Sequence, residues 1–126
     1  MSGLNKGKII EVLSLKYPNA LSITPYKVKP LSDNFDGALL FNLGRIPKKF
    51  KNGIIISLQW HRNWPDYLRV VAFGEYKVNI HGSKVCLPTI QEREDARQTL
   101  KNMGLWNKRC ENLFKVNMGR KDAANR

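Results

Sequence analysis

The chain has 126 residues, 42% of them hydrophobic, which is enough for one compact core and too little for several. Lys and Arg number 22 against 10 Asp and Glu, a net charge of +12, and such a surface calls for a polyanion that it binds by releasing counterions. No run of about 18 apolar residues is present to span a bilayer, and Lys6, Lys8, Glu11 and Lys16 interrupt the first segment as they would not a signal-peptide core. The expected setting is intracellular, cytoplasmic or nuclear, without membrane contact. Cys86 and Cys110 lack CxxC spacing and have no His nearby, so no metal site, disulfide framework or cofactor is expected.

From Leu4 to Tyr17 the apolar residues fall at helical spacing, and Pro18-Asn19 closes the segment. Ala20 to Val28 alternates loosely around Pro25, as an edge or bulged strand does. Ser32-Asp33-Asn34 caps a second helix that carries Phe35, Ala38, Leu39, Leu40 and Phe41 and stops at Gly44 and Pro47. Three runs rich in Ile, Val and aromatics follow: Gly53 to Trp60, Tyr67 to Phe73 and Tyr76 to His81. The polar turn His61 to Asp66 and the pair Gly74-Glu75 separate them, which predicts a three-stranded antiparallel meander. Thr89 to Met103 is a charged helix with Ile90, Ala96, Leu100 and Met103 as its buried stripe, ended by Gly104. Beyond it, Trp106, Leu113, Phe114 and Val116 precede a basic end.

The expected organisation is an N-terminal helix over 1–19, an α+β domain over 20–117 and a basic flexible tail over 118–126. On the predicted strands Arg69, Val71 and Phe73 share one face, and Lys77, Asn79 and His81 share one face of the next. One side of the sheet is then apolar and covered by helices, and the other is polar and cationic.

These residues, in this order, resemble one repeat of the TATA-binding protein. Lys48-Lys49-Phe50 looks like the Lys/Arg-Phe pair that opens that family's second strand, and Phe73 like the Phe that ends its third. Lys77, Gly82 and Lys84 sit at the offsets of its Lys, Gly and Lys, and the helix ending in Met103-Gly104-Leu105 is similar to the one that closes the repeat. The resemblance covers Ile23 to Leu105. It implies a strongly curved antiparallel sheet with helices on one face and nucleic acid on its concave face. Phe50 and Phe73 would be wedges between base steps, Val71, Asn79 and His81 would line the surface, and Arg69, Lys77 and Lys84 would supply charge. The family builds its saddle from two repeats, so a single one implies a homodimer or a partner that supplies the other half.

The function expected from this reading is non-enzymatic binding of nucleic acid, double-stranded DNA first, in transcription or replication. Trp60, Arg62 and Trp64 crowd one loop, and aromatics with Arg suit unpaired bases, so RNA or an RNA/DNA hybrid is an alternative. Another is a sheet that docks a protein of a transcription or replication assembly. Phe50 and Phe73 also fit a core role, as Trp60 and Trp64 fit packing of the loop. Pro65-Asp66 with Glu75-Tyr76-Lys77 matches the PD-(D/E)xK nuclease pattern, but on a strand the two carboxylates would stand more than about 20 Å apart. His61 and His81 have no triad or metal partner in the sequence, and Glu92, Glu94 and Asp95 suit a solvated helix face beside Arg93 and Arg97. Neither a catalytic residue nor a small-molecule substrate is expected.

Overall fold

The computed structural model describes residues 5–124, the side chains of Pro25 and of residues 117–124 excepted. The expected start of the first helix at Leu4 and the last two residues of the expected tail lie outside the described residues. Helix α1 (Lys6–Lys16) is capped by Asn5, whose side-chain oxygen accepts a hydrogen bond from the Lys8 amide at 3.0 Å. Helix α2 (Phe35–Leu43) ends at Gly44, which takes φ +80°. Helices α3 (Lys48–His61) and α4 (Pro65–Ala72) come next, followed by the short strands β1 (Lys77–Val78) and β2 (Lys84–Cys86). Helix α5 (Ile90–Asn102) opens with a capping box: Thr89 accepts from the Glu92 amide and the Glu92 carboxylate accepts from the Thr89 amide. Helix α6 (Lys108–Ala124) completes the order, and its backbone is helical through most of the stretch expected to be a tail.

The described residues are therefore mostly helical, and the curved antiparallel sheet of the TATA-binding-protein reading is absent among them. Gly53 to Trp60 is helix. Ile54, Ser57, Leu58 and His61 turn inward, a spacing of three, four and seven residues that belongs to a helix, although Ile54-Ile55-Ile56 is locally a good strand sequence. Tyr67 to Phe73 falls on α4 and its C-cap. Pro65 takes the first helical position with Asp66 beside it, where a proline's missing N–H costs nothing and a carboxylate meets the positive end of the helix dipole. Of Tyr76 to His81 only Lys77 and Val78 form a strand. They pair with Lys84–Cys86 through an irregular antiparallel register, and Val78 makes a parallel bridge to Leu31. Ala20 to Val28 is irregular chain with a single 3-10 turn (Pro25–Lys27) instead of an edge strand.

One core joins these pieces. Ile10 and Leu13 of α1 and Tyr17 at its C-cap meet Phe35 and Leu39 of α2, Leu58 of α3, Tyr67 of α4 and Val78 of β1, with Leu21, Val28 and Leu31 contributed by the irregular segments. The Tyr67 hydroxyl accepts a hydrogen bond from the Leu31 amide at 2.9 Å, which satisfies two buried polar groups at once. A smaller cluster of Ala72, Ala96 and Phe114 ties α6 to α4 and α5. Around it Arg97 donates to Glu111 at 2.8 and 2.9 Å, and the Trp106 indole donates to the same carboxylate at 2.8 Å. These bonds hold Glu111 down at about 2, well below an ordinary carboxylic acid.

The tip of the β1–β2 hairpin leans on the turn after α1. Gly82 has φ +82°, and a Cβ there would lie 2.4 Å from the Asn19 Cβ and 2.6 Å from the Asn19 carbonyl oxygen. Gly82→Ala is expected to destabilise the fold by about 1–3 kcal/mol, through both the clash and the left-handed backbone; urea unfolding with an unchanged midpoint would contradict this packing.

His61 sits 1% exposed against the edges of Trp64 and Tyr67, and neither ring nitrogen has a hydrogen-bond partner among the described residues. Burial, with the Arg62 guanidinium beside it, pushes its pKa down to about 4. In the unfolded chain it titrates near 6.5. Above that value the imidazole is neutral in both states. As pH falls from 6.5 towards 4 the unfolded chain takes up a proton that the folded chain refuses, so stability drops by roughly 3 kcal/mol in all and levels off below. Urea midpoints compared at about pH 7 and about pH 5 should show the loss, and His61→Leu should remove most of that difference.

Candidate nucleic-acid interface

The residues singled out in the sequence are scattered by the helical fold, and they divide into those held inside and those presented to solvent. Lys77 is the most confined. Its side chain is 5% exposed, and its ammonium donates to Asp33 at 2.6 Å and Glu92 at 2.7 Å. Burial works against the charge, but these two carboxylates outweigh it and leave the pKa raised. Arg62 forks onto Asp36 at 2.7 and 3.0 Å, which fixes the end of α3 to α2, and Arg69 bonds Asp66 at 2.9 Å one turn back on α4. A cavity of about 430 Å³ opens beside these groups, lined in part by Asp33, Asp36, Glu92 and Asp95. Its two cations, Arg62 and Lys77, are already engaged by carboxylates.

The aromatic residues of the former loop are packing residues. Trp60 and Trp64 meet edge to face at 5.0 Å between ring centroids, and the Trp60 ring comes within 3.5 Å of where a Cβ on Gly7 of α1 would stand. Phe73, at the C-cap of α4, lies 5.9 Å from the Trp106 ring, and Val71 packs against both clusters of the core. Phe50 and Phe73 thus sit on different helices, with no common sheet from which to enter a minor groove. Asn79 closes the hairpin turn by accepting from the His81 and Ser83 amides, and His81 is exposed at its tip. Asp66 stands in the first turn of α4 and Glu75 beyond its C-cap instead of along one strand.

Lys48, Lys49 and Phe50 remain outward where α2 passes into α3, as His81 and Lys84 do on the hairpin. Phe41 is 89% exposed and Phe50 63% exposed, and between and beside them Arg45, Lys48, Lys49 and Lys51 all face solvent. No acid lies in the first turn of α3, and Pro47 supplies no side-chain cap, so the positive end of the helix dipole reinforces the lysines. Of this corner the sequence reading had Lys48, Lys49 and Phe50. It missed Arg45 and Lys51, and it placed Phe41 only among the apolar residues of the second helix. The signal for them was present in the interleaving of two Phe with four cations over eleven residues.

No family model and no curated protein matches the sequence. Among solved structures, the solution structure of a ProQ homologue from Legionella pneumophila matches with a TM-score of 0.65 and 23% identity, over 86% of this chain and 90% of that one. The crystal structure of a FinO-like RNA chaperone from Neisseria meningitidis matches with a TM-score of 0.58 and 22% identity, over 73% and 89%. The chain has their fold. That overturns the likeness to the TATA-binding protein, and the need for a second half of a saddle goes with it. Among the described residues no helix is long and apolar enough to cross a membrane.

Lys77 now has a structural assignment that a substitution can check. Lys77→Ala removes two charge-assisted bonds but leaves Asp33 and Glu92 with access to water, so the cost is expected at about 1–3 kcal/mol instead of the larger penalty of a stranded buried charge. Thermal unfolding of the variant at neutral pH measures it, and an unshifted midpoint would remove Lys77 from the framework.

Proposed function

We propose that this protein binds RNA, and that it does so as an RNA chaperone, with the corner between α2 and α3 as its principal contact. The observation that carries the reading is the pair of solvent-facing phenylalanines, Phe41 and Phe50, set among Arg45, Lys48, Lys49 and Lys51 with no carboxylate between them. Exposed aromatic rings are unfavourable in water unless something covers them, and bases that stack on them beside phosphate-neutralising lysines satisfy both groups. The net charge of +12 adds long-range attraction to the same ligand. The neighbour from Neisseria meningitidis is described as an RNA chaperone, which supports RNA ahead of double-stranded DNA as the polyanion. A binding surface of this kind requires no catalytic group.

Fluorescence anisotropy with a labelled RNA, its DNA counterpart and the duplex form of each, at several salt concentrations, tests the proposal. The wild-type protein should prefer RNA. Replacing Lys48, Lys49 and Lys51 with Ala should flatten the plot of log K against log salt by about 2 for a single-stranded ligand. Phe50→Ala should weaken binding by about tenfold with less change in salt slope. A protein that binds all four ligands alike and loses them together at moderate salt would be a nonspecific polycation, and the RNA reading would fall.

A further inference from the structure

A second basic and aromatic surface lies apart in the chain from the α2–α3 corner, where the 3-10 turn Pro25–Lys27 faces the β1–β2 hairpin. A groove of about 460 Å³ runs between them, within the size range that holds small ligands. Its floor is apolar: Val28 and Val78 are buried core residues and Val70 packs on them. Its rims are aromatic. Tyr26 is 85% exposed on one side, and Tyr76 is 39% exposed on the other.

Three lysines belong to the same groove, with Glu75 as the one carboxylate lining it. Lys84 holds its ammonium 5.2 Å from the centroid of the Tyr76 ring, so the cation and the aromatic face are already placed together. Lys29 is anchored by donating to the Asn19 carbonyl at 3.0 Å, and Lys27 is exposed beside Tyr26. The groove's shape is fixed from beneath, because Gly82 also lines it and is the residue that packs on Asn19. Rigid placement matters here, since a ligand then orders little of the protein when it binds.

An apolar floor, two ring faces on the rims and a surplus of cations match one ligand chemistry: a flat base with a phosphate on either side of it. A paired base cannot use such a groove, because its faces are covered by its neighbours in the helix and its edge by its partner. We infer that the groove between Tyr26 and Tyr76 takes an unpaired nucleotide of the bound RNA, with a base against the tyrosine rings and the flanking phosphates on Lys27, Lys29 and Lys84. The inference rests on the RNA-binding reading and assigns to this groove the single-stranded part of the ligand. The lysines and Arg45 of the α2–α3 corner contact phosphates, paired or unpaired, without this requirement.

Two labelled RNAs separate the two surfaces: a closed hairpin without overhang whose tight tetraloop stacks its bases on one another, and the same hairpin with an unpaired extension of several nucleotides. Wild-type protein should bind the extended RNA more tightly. Tyr26→Ala and Tyr76→Ala, assayed singly and with their folding checked by circular dichroism, should each weaken the extended RNA by about tenfold and the closed hairpin by less than about twofold. Lys84→Gln should do the same to a smaller degree, and Tyr26→Phe, which keeps the ring, should restore binding. Unchanged affinity for the extended RNA in Tyr26→Ala and Lys84→Gln, or equal losses on both RNAs, would overturn the groove assignment and leave the RNA reading standing. Failure of the wild-type protein to bind either RNA would overturn both.

Discussion

An ammonium taken out of water keeps its charge only where carboxylate oxygens replace the water, and here they come from two distant parts of the chain. Lys77 on β1 meets Asp33, just ahead of α2, and Glu92, in the first turn of α5. Glu92 is also the acid of the capping box, so the contact that starts α5 is the contact that fixes its position over β1. Asp33 sits beside the segment whose backbone bridges to Val78, with the Ser32 amide donating to the Val78 carbonyl and the Val78 amide to the Pro30 carbonyl. One cation therefore sets the register of three segments that no continuous sheet or long helix would otherwise align.

Internal pairing of this sort also sorts the surface. Arg62, Arg69, Lys77 and Arg97 are each bonded to carboxylates of the chain itself, so much of the small acidic complement is already engaged. The excess of positive charge then falls on outward positions such as Arg45, Lys48, Lys49 and Lys51 at one corner and Lys27 and Lys84 at the groove. A chain of modest size reaches a strongly cationic exterior this way while pairing these four cations with carboxylates of its own.

The parts of the fold legible in the sequence were those written in local chemistry. Pro18-Asn19 after α1, Gly44 after α2 and Gly104 after α5 act within a few residues of themselves, and those helices end where these residues put them. The middle of the chain was misjudged because Ile54-Ile55-Ile56 and Arg69-Val70-Val71-Ala72 satisfy strand and helix patterns alike over so short a span. What decided the matter was burial at 54, 57, 58 and 61, which packing against α1 determines, and the helix start at Pro65-Asp66, which had been taken for a turn. Once α3 and α4 are helices, Phe73 goes to Trp106 and Lys77 to its carboxylates, partners lying up to 44 residues away that no local pattern announces. The overall charge depends on no such choice, so the expectation of a polyanionic ligand did not rest on the curved sheet.

The hairpin has a bearing on how many copies of the protein can coexist in solution. Strand β2 is three residues long, fully exposed, and paired on one side with a strand of two. A free strand edge ordinarily invites another chain to add to it, but this one is too short for a durable ladder, is thrown off register beside Val78, and begins with a lysine. Identical molecules that approach edge to edge would meet like charge before they could share backbone hydrogen bonds, so close crowding of many copies need not end in fibrils.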